Sequence, residues 1–206
     1  MVQIVLVRHG QTEWNRVERF RGRADVPLNA AGLAQAEAAG RRIAAAWQPA
    51  AVYASPLSRA VRTAEAIARP LNLLVLVAPG LVDIDYGQWQ GLTPDEARQR
   101  WPEMVHAWYE APHRARIPGG ETLAALQTRA MAAVRELAAG HEGQTIVLVS
   151  HTVVNRVILL GVLGAGLERF WGLGQDTAAL NVLEVAGERL TLVTMNDTCH
   201  LASLGE

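Results

Sequence analysis

Four short stretches of the chain carry side chains that could share one reaction. Arg8, His9 and Gly10 follow an apolar run, and Ser55, Ser58, Arg59 and Arg62 lie in "SPLSRAVRTA". Asp83 and Asp85 lie in "LVDIDYGQWQG", and Ser150, His151 and Thr152 close another apolar run. Two histidines, two or more arginines and a carboxylate meeting in one place would suit an anion. A guanidinium matches phosphate oxygens through paired hydrogen bonds, and a helix N-terminus adds its own N–H groups. A neutral imidazole can attack phosphorus while the surrounding cations hold the charge of the transition state. The chemistry these residues suggest is phosphoryl transfer without a Walker-type loop.

Such a meeting needs a frame that aligns the four stretches. Strand-like apolar runs occupy residues 2–7, 51–54, 73–77 and 145–149, with weaker ones at 179–185 and 190–195. Helical spacing covers 29–47, where Asn29 can serve as cap, and also 57–68, 93–109, 122–139 and 153–163. This alternation predicts an α/β three-layer sandwich: a mostly parallel central sheet with helices on both faces. Ligands of open α/β sheets sit beyond the carboxyl ends of the strands, where all four stretches fall. No repeat, low-complexity tract or linker divides residues 1–206, so one domain is expected. The segment 91–119, crowded with Trp101, Trp108, Tyr109, His106 and four arginines, reads as a lid-like insertion within it.

Composition narrows the partners. A net charge of -1 with no long single-sign block gives no electrostatic footprint for nucleic acid. The chain has no run of about 18 apolar residues and no leader pattern, so a soluble, cytoplasmic protein without membrane association is expected. One cysteine, Cys199, excludes an intramolecular disulfide framework. His106, His113, His141 and His200 lack metal-ligand spacing, and no metal or cofactor is expected. The tryptophans at 89, 101, 108 and 171 read as core or lid packing.

At these residues the chain resembles the histidine phosphatase superfamily, also called phosphoglycerate-mutase-like. "LVRHGQTEWN", "SPLSRAVRTA", "YGQWQG", "PGGET" and "VLVSHT" stand in the family's order over nearly the whole length. The resemblance implies that His9 is the nucleophile that becomes phosphohistidine. It implies that Arg8, Arg59 and His151 clamp the phosphate, with supporting contacts from Asn15 and the backbone near Thr152. The family's acid/base carboxylate falls at Asp83, where glutamate is commoner; Asp85, two residues on, is the alternative. The compact chain and its "PGGET" resemble the phosphatase branch more than the mutases.

Finer similarity is to metal-independent phosphoserine phosphatases, through "DIDYGQW", "APHRARIPGGET", "RFWGL" and "NDTCHL". This implies a small-molecule phosphomonoester as substrate, L-phosphoserine or another small acidic one, and a homodimer. It also implies substrate contacts from Arg21, its neighbour Gly22, Tyr86 and the tail residue His200. Tyr86 and Arg21 stand where those enzymes usually have histidine and glutamine. The alternatives are a sugar-phosphate phosphatase acting on glucosyl-3-phosphoglycerate or α-ribazole phosphate, a phosphoglycerate mutase, and a phosphate-binding interaction module without catalysis. The apolar C-terminal strands are the expected dimer surface.

Overall fold

A computed structural model describes residues 1–204. The elements run β1 (Val2–Arg8), α1 (Glu13–Arg16), α2 (Ala30–Ala46), β2 (Ala51–Ala54), α3 (Ser58–Ala68) and β3 (Val75–Val77). They continue with α4 (Pro94–Arg100), α5 (Pro102–Glu110), α6 (Leu123–Ala139), β4 (Thr145–Ser150), α7 (Thr152–Leu163), β5 (Leu180–Ala186) and β6 (Arg189–Asp197). The strands form one sheet in the order β3-β2-β4-β1-β5-β6. β1 to β4 pair in parallel, while β5 runs antiparallel to β1 and β6 antiparallel to β5.

Both faces of the sheet are covered, which explains why the central strands read as unbroken apolar runs. Successive side chains alternate between faces. Ile4, Leu6, Ile146, Leu148 and Leu183 pack on one side with Leu126, Ala130 and Val134 of α6 and Val154, Val157 and Ile158 of α7. Val5, Val7, Val52, Val147 and Val149 pack on the other with Ala39 and Ile43 of α2 and Ala60, Ala64 and Ile67 of α3. The second layer is built from small residues, so its helices lie close to each other. Gly40 of α2 has no room for a Cβ against the Ala66 carbonyl of α3.

The three-layer α/β architecture agrees with the periodicity, and two helix starts follow from single residues. The side chain of Asn29 accepts from Gly32 N at 2.8 Å, and that of Thr122 from Ala125 N at 3.2 Å. The expected helix 93–109 is two helices. Pro102 has no amide hydrogen to continue α4, so Trp101 ends one helix and starts the next. The run 73–77 contributes only Val75–Val77 to the sheet.

The register decides what the strand ends can do. Arg8 of β1 lies opposite Ser150 of β4, and His9 N donates to Ser150 O at 2.9 Å. On the far side of β4, Ser55 N donates to Val149 O at 3.0 Å. The ends of β1, β4 and β2 are therefore level, and the residues that follow them emerge together.

Gly10 turns the chain out of β1 against the start of α2, and the backbones of Gly10, Gln11 and Gly32 touch. A Cβ on Gly32 would collide with the Gln11 carbonyl oxygen and amide nitrogen. Gly32→Ala is expected to cost about 1–3 kcal/mol of stability through this overpacking. A lower urea midpoint at unchanged slope is the readout; an unchanged midpoint would show that the turn can move aside.

Candidate active site

His9 follows directly on β1 and is 1% exposed. Its Nδ1 lies 2.7 Å from the carbonyl oxygen of Gly10. A carbonyl can only accept, so Nδ1 carries the hydrogen and Nε2 keeps the lone pair. Gly10 is itself held: its N–H donates to Thr63 Oγ1 at 3.1 Å, and Thr63 Oγ1 donates to the Arg59 carbonyl at 2.8 Å. One hydroxyl thus ties the His9 turn to the second turn of α3.

Arg59 is fully buried at the start of α3. Its Nη1 donates to Ala24 O at 2.8 Å, and its Nη2 to Gly22 O at 2.7 Å and to Asp83 Oδ2 at 3.1 Å. His151, also fully buried, is the N-cap residue of α7. Its Nε2 is 2.7 Å from Ser55 Oγ, and its Nδ1 is 3.6 Å from Asp83 Oδ2. The rings of His9 and His151 meet edge to face with centroids 5.1 Å apart. Arg8 donates through Nη1 to the Gln175 carbonyl.

Arg8, Asp83 and Gln175 link these groups to an adjoining cavity of about 380 Å³. Arg8, Asn15, Arg21, Asp83, Tyr86 and Thr152 line it. Buried polar atoms gather around it without protein partners among the described residues: Nε of Arg8, Arg21 and Arg59, His151 Nδ1 and Thr152 Oγ1. Buried donors left unpaired are costly, and several converging on one cavity form a receptor for an anion rich in acceptors.

Electrostatics point the same way. Asp83 is the one buried carboxylate among the described residues, facing Arg59 with Arg8 and Arg21 nearby. Burial pushes its carboxyl above the ordinary range, against the pull of Arg59, Arg21 and the Ile84 N–H. Burial and then Arg59 drive both His9 and His151 well below their usual value, so both are neutral at pH 7. Burial lowers Arg8 to about 9, with Arg21 and Arg156 adding to the shift, and it still keeps its charge at neutral pH.

Most of the expected site residues come together. Asn15 closes the turn before α1, accepting from Thr12 N at 2.9 Å, and faces the cavity. Arg21 reaches in while donating to Trp14 O at 3.0 Å. Five are absent from the cavity lining: His9, Arg59 and His151, which stand beside Asp83 or one another, and Gly22 and His200. Gly22 acts through its carbonyl on Arg59, in a left-handed turn (φ 48°) packed against the Ile84 backbone. His200 lies in the final turn Cys199–Leu204, which packs on α2 outside the cavity lining, with Asp197 Oδ1 accepting from Cys199 N at 2.9 Å. Asp85 also stays outside, accepting from Gly87 N at 2.8 Å and pairing with Arg23 at 3.4 Å.

Four contributors escape the sequence reading. Thr63 and Gln175 act through long-range contacts with no local signature. Arg129 donates to the carbonyls of Gly80, Val82 and Asp83 and pairs with Glu121 of "PGGET", fixing the backbone that presents Asp83. Arg156 lines the cavity as well. Its signal was its place one turn after Thr152 on α7, which puts both on one helix face.

A doubly wound sheet with histidines and arginines at aligned strand ends defines an enzyme of phosphate-ester chemistry, a phosphomonoester hydrolase. The chain belongs to the histidine phosphatase superfamily (branch 1), whose family model matches residues 4–198. It is 36% identical over 201 residues to phosphoserine phosphatase 1 of Hydrogenobacter thermophilus, covering 98% of this chain and 95% of that protein. It is 34% identical to a metal-independent phosphoserine phosphatase of Arabidopsis thaliana, covering all of this chain and 85% of the relative. Among solved structures it superposes on Bacillus stearothermophilus YhfR with a TM-score of 0.93 and 31% identity, covering 98% of this chain and all of that one.

The neutral histidines give stability a sign in pH. Their folded values lie below 6.5, so the unfolded chain binds protons first as pH falls, and the stability present above pH 6.5 is lost below it. Urea midpoints measured from pH 7.5 to 5 are expected to fall below pH 6.5. His9→Asn should make this dependence shallower by about one proton. Equal slopes in the two proteins would contradict a neutral buried His9.

Proposed function

We propose that this chain hydrolyses small acidic phosphomonoesters, with L-phosphoserine as the foremost substrate, through a phosphohistidine at His9. The observation that carries the reading is the Nδ1 contact of His9 with the Gly10 carbonyl, which leaves the Nε2 lone pair beside Arg8, Arg59 and His151. Nε2 attacks phosphorus and the ester P–O bond breaks. Asp83, whose proton affinity burial raises, gives a proton to the leaving alkoxide. Water then attacks phosphorus as Asp83 takes a proton from it, and the P–N bond breaks, returning its electron pair to His9 Nε2 and releasing inorganic phosphate. Arg8, Arg59 and His151 hold the phosphoryl oxygens in both steps. Asn15, Arg21, Tyr86 and Thr152 complete the pocket.

The reading includes one domain with 91–119 as its lid, supported by Pro94, Trp108 and Tyr109 at the cavity. No metal takes part, as the name of the Arabidopsis relative suggests for that enzyme. Phosphoserine is favoured over sugar phosphates by the names of the two relatives. A cytoplasmic homodimer completes it. The exposed thiol of Cys199 suits a reducing compartment. Each edge strand offers a pairing surface: Val193 and Met195 are exposed on β6, and Leu74, Leu76 and Val77 along β3. β5 and Phe170 are buried inside the subunit, so they contribute no such surface.

In EDTA, kcat/KM for L-phosphoserine is expected to exceed that for p-nitrophenyl phosphate at least about a hundredfold, equivalent to about 2.7 kcal/mol of transition-state discrimination. Acid-quenched protein from a labelled-substrate burst should carry an acid-labile, base-stable phosphate that His9→Ala lacks. Turnover surviving in His9→Ala would refute the covalent route, and a preference for glucosyl-3-phosphoglycerate would reassign the substrate. For the assembly, sedimentation should report a dimer that Leu76→Lys turns into an active monomer if β3 is the contact. An unchanged dimer would move the contact to β6, and a monomeric wild type would remove it.

A further inference from the structure

Arg156 lines the same cavity as Arg8 and Asp83, and the proposed chemistry gives it nothing to do. Its Nε donates to the Leu173 carbonyl at 2.7 Å. Its guanidinium carbon lies 5.1 Å from the Phe170 ring centre and 5.0 Å from that of Trp171. Trp171 is itself pinned, its Nε1 donating to the Trp108 carbonyl at 2.8 Å, with Tyr109 stacked on it at 5.3 Å. The two terminal nitrogens of Arg156 have no hydrogen-bond partner and no carboxylate within ion-pair distance among the described residues. Held by its inner nitrogen beside two aromatic rings, this arginine presents an end-on fork to the cavity.

Its position relative to the phosphate end is built into the backbone. Arg8 donates to the Gln175 carbonyl and Arg156 to the Leu173 carbonyl, two residues apart on one segment that is extended at Leu173. Two residues of chain span at most about 7 Å, which bounds the separation of the anchoring carbonyls. Gln175 is fixed in turn: its Oε1 accepts from Asn155 Nδ2 at 3.2 Å and its Nε2 donates to Asn181 Oδ1 at 2.8 Å. One braced segment thus sets the spacing between two guanidinium groups.

We propose that Arg156 is a specificity-determining residue that binds a carboxylate of the substrate, located two carbons from the ester oxygen. A planar carboxylate accepts both N–H groups of an arginine end in parallel, which a hydroxyl or a sugar oxygen cannot do. The buried Phe170 ring lowers the local polarity on one side and strengthens the pair. The proposal rests on the phosphatase reading above and adds which group of the substrate Arg156 selects.

The test compares L-phosphoserine with O-phosphoethanolamine, which lacks only the carboxylate, and 3-phosphoglycerate with glycerol 3-phosphate, in wild type, Arg156→Gln and Arg156→Lys. Wild type is expected to favour the carboxylate member of each pair at least about thirtyfold in kcat/KM. Arg156→Gln should reduce this to about threefold, mainly through KM, and Arg156→Lys should fall between. Its loss with p-nitrophenyl phosphate should be at least tenfold smaller than with L-phosphoserine. A preference retained in Arg156→Gln, a parallel loss on all esters, or no preference in wild type would each overturn the assignment. Calorimetric binding of the same esters to His9→Ala, with and without Arg156→Gln, separates the two readings. Carboxylate-dependent affinity that Arg156→Gln removes supports the subsite even if turnover does not follow the His9 route.

Discussion

Parallel pairing of β1 with β4, with Arg8 opposite Ser150, sets where everything else at the site can be. It places His9 and His151 side by side at the same height, and the β2–β4 pairing brings Ser55 to the other side of His151. A slip of one residue would turn each of these side chains to the opposite face of the sheet. The register is protected by burial on both faces, since the same slip would exchange Ile4 and Leu6 with Val5 and Val7 between two differently shaped layers. The core is what makes the juxtaposition of two histidines reproducible.

A second level of constraint joins loops to that frame. Carbonyl oxygens do much of the positioning: Gly22 and Ala24 receive Arg59, Gln175 receives Arg8, and Gly80, Val82 and Asp83 receive Arg129. Backbone acceptors hold guanidinium groups in place without neutralising them. The site therefore keeps a surplus of positive charge over the single buried carboxylate, and that surplus is what a phosphate dianion can match.

Legibility in the sequence followed the range of each interaction. Strand runs, the cap at Asn29 and the strand-end positions of His9 and His151 are local patterns, and the fold returns them with shifts of one or two residues. Pro102 was visible too, but the helical spacing of the aromatic residues around it concealed the break at Trp101. Thr63, Arg129 and Gln175 were not legible, because their meaning lies in partners 46 to 167 residues away. Arg156 stood within reach, one turn after Thr152, yet helix spacing alone cannot tell a cavity face from a buried one. For His200 the order of the tail motif was recognisable, while the path of the tail after Asp197 depends on packing against α2.

The carbonyl contacts of Arg59 also bear on how this site can change over generations. The guanidinium that faces the substrate pocket is the same one that secures the turn at Gly22 and Ala24, and that turn follows directly on Arg21. Losing Arg59 would remove one cation and release the support of another. Variation at the two positions is therefore epistatic: a lineage that has lost Arg59 gains little by keeping Arg21, and lysine, with a single nitrogen, cannot restore both functions. The clamp therefore behaves as a unit, whereas Arg156 and the aromatic rings beside it are anchored by other carbonyls and can change without loosening it.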